Sequence, residues 1–246
     1  MAEKINNLEV QNLFDERAKL LNGNNSVLSS SNSTNASKQN EYRNYITTKS
    51  ILQFLRPKKE QTILDFGCGI GRISYKVSEK VKFVIGTDTS KEMLIRARSE
   101  NIAKNIEYQD YNTFLESKIQ FDSIYTCWVL QHVSNDKLIE IFSIFKSKLK
   151  AGGKIILLEQ TSNTSIIKNK VLHQRTIEEY KRFLVDFKIE KCENVLRFPS
   201  YSMDIWNRGI FPSVFFPLLT MIEKLTVNRK KKEVEYTSTI FVIRRN

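Results

Sequence analysis

Cysteine is scarce in this chain of 246 residues: there are three, Cys68, Cys127 and Cys192, far apart and without a CxxC pair. An odd, dispersed set excludes both a disulfide framework and a thiolate zinc site. Histidine is scarcer, with only His132 and His173. No cluster of His and carboxylates has metal-ligand spacing, so no metal site is expected. Long hydrophobic runs are also missing. The longest nearly apolar stretch, IFPSVFFPLL at 210–219, holds two prolines and is too short to span a bilayer. The opening MAEKINNLEV has no apolar signal core, so a cytoplasmic protein is expected.

What is present points to a folded chain with a basic surface. Hydrophobic residues make up 41%, enough for a full core. Thirty-nine Lys and Arg against 27 Asp and Glu give a formal charge of +12. That balance suits an anionic partner, or simply a lysine-rich solvated surface. The basic residues are not interleaved with aromatics as in a nucleic-acid module, so no nucleic-acid partner is expected.

Residues 5–21 have apolar positions at helical spacing. Residues 21–40, LNGNNSVLSSSNSTNASKQN, are dominated by Ser and Asn with little to bury, and predict a mobile loop or lid. EYRNYITTKSILQFL returns to helical periodicity and stops at Pro57. Apolar strands then alternate with helices: TILDF, KFVIGTD, IEYQD, FDSIYTCWVL and KIILLEQ, the last preceded by a helix ending at Gly152–Gly153. This rhythm predicts a parallel α/β sheet with helices on both faces. Beyond residue 165 it changes. TIEEYKRFLVDF is a helix with Thr176 and Glu179 at capping-box spacing. FKIEKCENV and YTSTIFVIRR read as two strands pairing antiparallel at the sheet edge.

The chemistry gathers at QTILDFGCGIGR, residues 61–72, where glycines alternate at 67, 69 and 71. Glycine at a strand-to-helix turn lets a ligand lie on the backbone, and the helix N-terminus beyond offers free N–H groups. The spacing is GxGxG, with Arg72 where a dinucleotide motif has its third glycine, which argues against a dinucleotide. Asp65 just before the turn suits an ammonium group and would repel phosphates. Asp88, ending FVIGTD, is placed to accept hydrogen bonds from ribose hydroxyls or to cap a helix. Asp110, ending IEYQD, has similar geometry toward an adenine amino group, or is a turn residue.

ILDFGCGIG, GTDTSKEML, EYQDYNTF, FDSIYTCWVLQHV and LKAGGKIILLE resemble, in order and spacing, the successive motifs of class I S-adenosylmethionine-dependent methyltransferases. The resemblance covers roughly residues 45–165. It implies a Rossmann-like, seven-stranded, mostly parallel sheet with an antiparallel last strand. Residues 1–44 would form an N-terminal helix and Ser/Asn-rich lid, and 45–246 the methyltransferase domain, with an apolar and basic insertion at about 199–233. It also implies S-adenosylmethionine as cofactor, held at its methionine end by Asp65, Gly67, Cys68 and Gly69. Asp88, Thr89 and Met93 would meet the ribose side, Asp110 and Tyr111 the adenine. Thr126, Cys127 and Trp128 would lie beside the methyl group, and Arg43 would pair with the cofactor carboxylate.

Methyl transfer from a sulfonium is an in-line displacement in which alignment is the main tool. A hydroxyl acceptor also needs a base, whereas an amine needs only to be neutral. The candidate bases are His132, His173 and Glu159. Looser similarity of NLFDERAKLL, YRNY and HQRTIEEY to sugar and surface-glycan methyltransferases implies O-methylation of a sugar or other small metabolite, with a surface-glycan or lipid-linked acceptor as one form of it. The alternatives are a protein N-terminal amine methyltransferase and a non-catalytic binding subunit of the same fold. The aromatic and aliphatic residues of 205–225, followed by NRKKK, mark a candidate contact with an anionic membrane.

Overall fold

Alternation within residues 62–66 builds two cores at once. Ile63 faces one side of the sheet, while Leu64 and Phe66 face the other. In this computed structural model, which describes residues 4–28, 32–208, 212–229 and 236–245, that segment is the central strand β1 (Thr62–Phe66). Three helices precede it: α1 (Asn7–Leu20), α2 (Asn25–Leu28) and α3 (Thr34–Leu55). After it come α4 (Arg72–Ser78), β2 (Phe83–Asp88), α5 (Lys91–Glu100), β3 (Ile106–Asp110), α6 (Tyr111–Glu116) and β4 (Phe121–Cys127). Then follow α7 (Asn135–Lys148), β5 (Leu149–Thr161), a hairpin of β6 (Ile166–Lys168) and β7 (Leu172–Gln174), α8 (Ile177–Phe183) and β8 (Phe187–Phe198). Helices α9 (Tyr201–Arg208) and α10 (Phe216–Thr226) lead to β9 (Tyr236–Arg245).

The main sheet has seven strands in the order β3-β2-β1-β4-β5-β9-β8. Strand β9 is antiparallel to both its neighbours and the other pairs are parallel, as expected. Ile51 and Leu55 of α3, with Ile73 and Val77 of α4, cover the Ile63 face. Phe114 of α6, Phe142 and Phe145 of α7 and Tyr180 of α8 cover the other. The order reverses between β1 and β4, so the helices leaving these strands go to opposite faces. The crevice between their carboxyl ends is where such sheets bind ligands.

Three expectations change. The Ser/Asn-rich stretch is not simply a loop: it supplies α2 and the start of α3, capped by Ser33 accepting from the N–H of Ala36. Its amides satisfy one another. Asn40 donates to Asn25 at 3.0 Å, Asn25 to Ser37 at 2.9 Å, and Asn32 to the Leu20 carbonyl at 2.9 Å. The expected boundary at 44/45 therefore falls inside one continuous helix. Gly152 and Gly153 lie within β5 rather than closing α7, which stops at Lys148.

The insertion folds back as α9 and α10 around buried Glu223. Its carboxylate accepts from the Arg197 N–H at 3.0 Å and from the hydroxyls of Ser200 and Ser202. The Arg197 guanidinium in turn donates to the carbonyls of Pro199, Thr226 and Arg229. Lys230, Lys231 and Lys232 of the expected basic cluster lie outside the described residues.

Candidate active site

The glycine turn leaves β1 with Gly67 at φ +74° and Gly69 at φ +55°, a region that side chains rarely adopt. Space forbids a side chain there as well. A Cβ on Gly67 would sit 2.4 Å from Val129, and one on Gly69 2.7 Å from Val27. The Gly69 N–H donates to Asp88 Oδ2 at 2.8 Å, and the Ser90 N–H to Oδ1 at 2.9 Å, so the turn is tied to the tip of β2. Burial raises the Asp88 pKa against these hydrogen bonds.

Above the turn opens a cavity of about 510 Å³, within the range of small-molecule sites. Its floor is Gly67, Gly69, Asp88, Thr89 and Met93; Tyr111, Asn112 and Leu115 form one side, and Cys127, Trp128, Val129 and His132 another. Its roof is α1, through Asn7, Gln11 and Phe14. A recess of about 40 Å³ adjoins it, lined by Asp65, Cys68, Arg72, Cys127 and Trp128. Asp65 is buried, accepts from the Ser74 hydroxyl at 2.5 Å, and has a pKa pushed up to about 6, chiefly by burial. Arg72 donates to Asn44, Thr47 and the Cys127 sulfur. The recess therefore presents both an acid and a guanidinium.

The loop after β4 is gripped by two buried charges of opposite sign. Glu159, at the end of β5, accepts from the Thr126 hydroxyl at 2.7 Å and from the N–H groups of Val129 and Leu130. Arg175 donates to the carbonyls of Leu130 and Val133 and to the Asn135 side chain. Donors of the loop thus face the anion and acceptors the cation. Between them the loop holds Trp128 at φ +60° and points Val129 and His132 into the cavity.

These placements sort the expected residues. Gly67, Gly69, Asp88, Thr89, Met93, Tyr111, Cys127, Trp128 and His132 come together around the cavity, and Asp65 and Cys68 around the recess. Five expected residues line neither. Asp110 is solvent-facing and caps α6, accepting from Asn112 and Thr113, which lowers its pKa. Arg43 donates to the Leu28 carbonyl and to Asn40 and lies over the Phe198 ring. Thr126 and Glu159 are fully buried behind the loop, where burial lifts Glu159 to about 7. His173 sits in the β6–β7 hairpin against the Ser165 hydroxyl. Arg72 was visible only as the residue displacing a third glycine; Phe14, Asn112 and Arg175 lie in stretches that carry a resemblance, which singles out none of the three.

His132 is locked rather than poised. Its Nδ1 donates to the Val171 carbonyl at 2.6 Å, so Nε2 accepts from Gln131. Its ring meets Phe14 edge-on at 5.1 Å, and burial pushes its pKa down to about 4.

Comparison with known proteins bears on this arrangement directly. Residues 63–153, from β1 into β5, match the family described as methyltransferase domain. Residues 63–153 thus carry a methyltransferase domain. Over 116 residues it is 32% identical to phosphoethanolamine N-methyltransferase 1 of Zea mays, covering 45% of this chain and 23% of that protein. The chain thus spans about a quarter of that relative's length. An uncharacterized methyltransferase of Alkaliphilus oremlandii is 26% identical over 166 residues, covering 65% of this chain and 76% of the other. Among solved structures, coclaurine N-methyltransferase bound to N-methylheliamine and S-adenosylhomocysteine superposes with a TM-score of 0.65 at 15% identity. That superposition covers 96% of this chain and 86% of that one, so the shared fold reaches beyond residues 63–153.

Proposed function

We propose that this chain binds S-adenosylmethionine and methylates the nitrogen of a small amine. The residues fit the donor. Asp88 offers its remaining lone pairs to ribose hydroxyls, and Tyr111, Met93 and Val129 supply apolar walls for a purine. The recess suits an amino-acid end, Arg72 for its carboxylate and Asp65 for its ammonium group. When bound, the donor supplies a methyl carbon activated by a positively charged sulfur. The protein's own part is to fix that end through the glycine turn, exclude water with α1, and leave a line of approach beside Cys127 and Trp128.

One observation carries the amine reading. The titratable groups lining the cavity, among the described residues, are Asp88, Tyr111, Cys127, His132 and Lys137. None is suited to take a proton from a hydroxyl near neutral pH. Asp88 already receives two backbone N–H groups. His132 is held near 4, and burial raises the Cys127 thiol to about 11. A neutral amine brings its own lone pair and needs no base, whereas a sugar hydroxyl does. By their names the maize relative and the coclaurine enzyme are both N-methyltransferases, which supports this reading over sugar O-methylation. A basic peptide N-terminus is less well matched, since Asp88 is the one carboxylate among the described lining residues of the larger cavity.

The test is transfer of labelled methyl from S-adenosylmethionine to three panels: small amines, sugar nucleotides and short peptides. Label on an amine, at a rate rising with pH as that amine loses its proton, is the expected result. Label confined to sugar hydroxyls or peptide N-termini contradicts it. Donor binding without transfer to any panel would favour the non-catalytic subunit.

A further inference from the structure

Helix α10 is apolar on both sides. Phe216, Leu219 and Thr226 are buried with Glu223 on the face that packs inward. On the opposite side Val214, in the short 3-10 turn just before α10, is followed by Leu218, Met221 and Leu225 at intervals of three and four residues along the helix, forming one stripe. They are 74%, 48%, 55% and 67% exposed. A helix apolar all round is ordinarily covered on all sides. Here half of it faces outward, and Ile205 of α9 adds a further exposed apolar side chain to the insertion.

Along residues 212–229 the exposed charge has one sign. Within residues 212–229 the only carboxylate, Glu223, is buried, while Lys224 and Arg229 are exposed and enter no ion pair among the described residues. On α3, exposed Lys49 lies over the Tyr45 ring, which itself packs on Phe216. We infer that the exposed stripe of α10, with Lys224 and Arg229 beside it, rests on an anionic lipid surface: the apolar side chains enter the headgroup–acyl boundary and the cations meet lipid phosphates.

Charge complementarity selects this occupant. A two-fold contact between copies would set Lys224 and Arg229 near their own counterparts, with no exposed carboxylate in the segment to pair with them. A bilayer of anionic lipid provides both the apolar depth and the negative charge, which is the recognised situation of an interfacial helix.

Co-sedimentation of the full chain with vesicles tests this, using phosphatidylcholine alone and phosphatidylcholine with added phosphatidylglycerol. The wild type is expected to pellet with the anionic vesicles, less so as salt rises, and little with the neutral ones. Leu218→Asp with Leu225→Asp is expected to weaken that binding by about tenfold or more, and Lys224→Glu to weaken it less. Val185→Asp, at an exposed apolar position between α8 and β8, is the control and leaves it unchanged. Circular dichroism checks folding, and Met221→Ser serves if the double variant melts early. Absence of binding at low salt, equal binding to both vesicle types, or wild-type binding by the double variant overturns the inference. So does a concentration-dependent dimer that the double variant dissolves, since the stripe would then be covered by a second copy.

Discussion

At the scale of single residues, the type of side chain was easier to read than its direction. Asp88 and Asp110 end neighbouring strands at paired positions, yet Asp88 turns into the cavity and Asp110 onto its own helix. The difference is local. The loop after Asp110 opens α6 at once, so Asn112 and Thr113 offer N–H groups that take its carboxylate. His132 illustrates the same limit: its position facing the cavity was legible, its hydrogen bond to Val171, 39 residues away, was not. That burial has a measurable consequence. The His132 pKa falls from 6.5 to about 4 on folding, so the native state resists a proton that the unfolded chain accepts. Its contribution is present above pH 6.5 and is lost as pH drops toward 4. Between pH 7 and pH 5 the loss is about 2 kcal/mol. Urea unfolding of His132→Gln should therefore show a shallower decline over that range, by about this amount, than the wild type. An equal pH dependence in the two proteins would contradict the assignment.

At the scale of elements, the five strands of the methyltransferase domain and its capped helices were plain from their periodicity. The capping box of α8, Thr176 with Glu179, forms as the spacing predicts. The Ser/Asn-rich stretch was misjudged because its stability comes from amides pairing across Asn25, Ser37 and Asn40, which composition does not reveal. The loop after β4 was equally opaque, since its two anchors arrive from β5 and from the segment before α8. Arg175→Met would leave the carbonyls of Leu130 and Val133 and the Asn135 side chain without their buried donor. The expected loss is about 3 kcal/mol, seen as a lowered unfolding midpoint, with donor affinity falling as Val129 and Trp128 shift. The roof helix α1 is held differently. Asp15 of α1 accepts from the Ser90 hydroxyl at 2.5 Å and the Glu92 N–H at 3.3 Å, and Arg96 donates to the carbonyls of Ala18 and Leu21 at the other end of the helix. Asp15→Ala should loosen α1 without unfolding the sheet. Hydrogen exchange of α1 amides is expected to speed up about tenfold while those of β1 and β4 stay protected. Unchanged exchange in α1 would show that the clasp does not hold the helix.

At the scale of the molecule, function follows from the sheet's point of reversal. Strands β1 and β4 are adjacent, and their carboxyl ends, with those of β2 and β5, deliver the glycine turn, Asp88, Cys127 and the Glu159 anchor to one crevice. In the recess beside it the guanidinium is that of Arg72, at the start of α4, while Arg43 donates to the Leu28 carbonyl and Asn40. The most direct test is a calorimetric titration of the chain with S-adenosylmethionine. The account predicts one site, weakened about 30-fold or more by Asp88→Ala, because that change removes a buried, charged hydrogen-bond acceptor from the cavity floor. Saturable binding by the wild type that Asp88→Ala leaves intact, or no binding by the wild type at all, would contradict it.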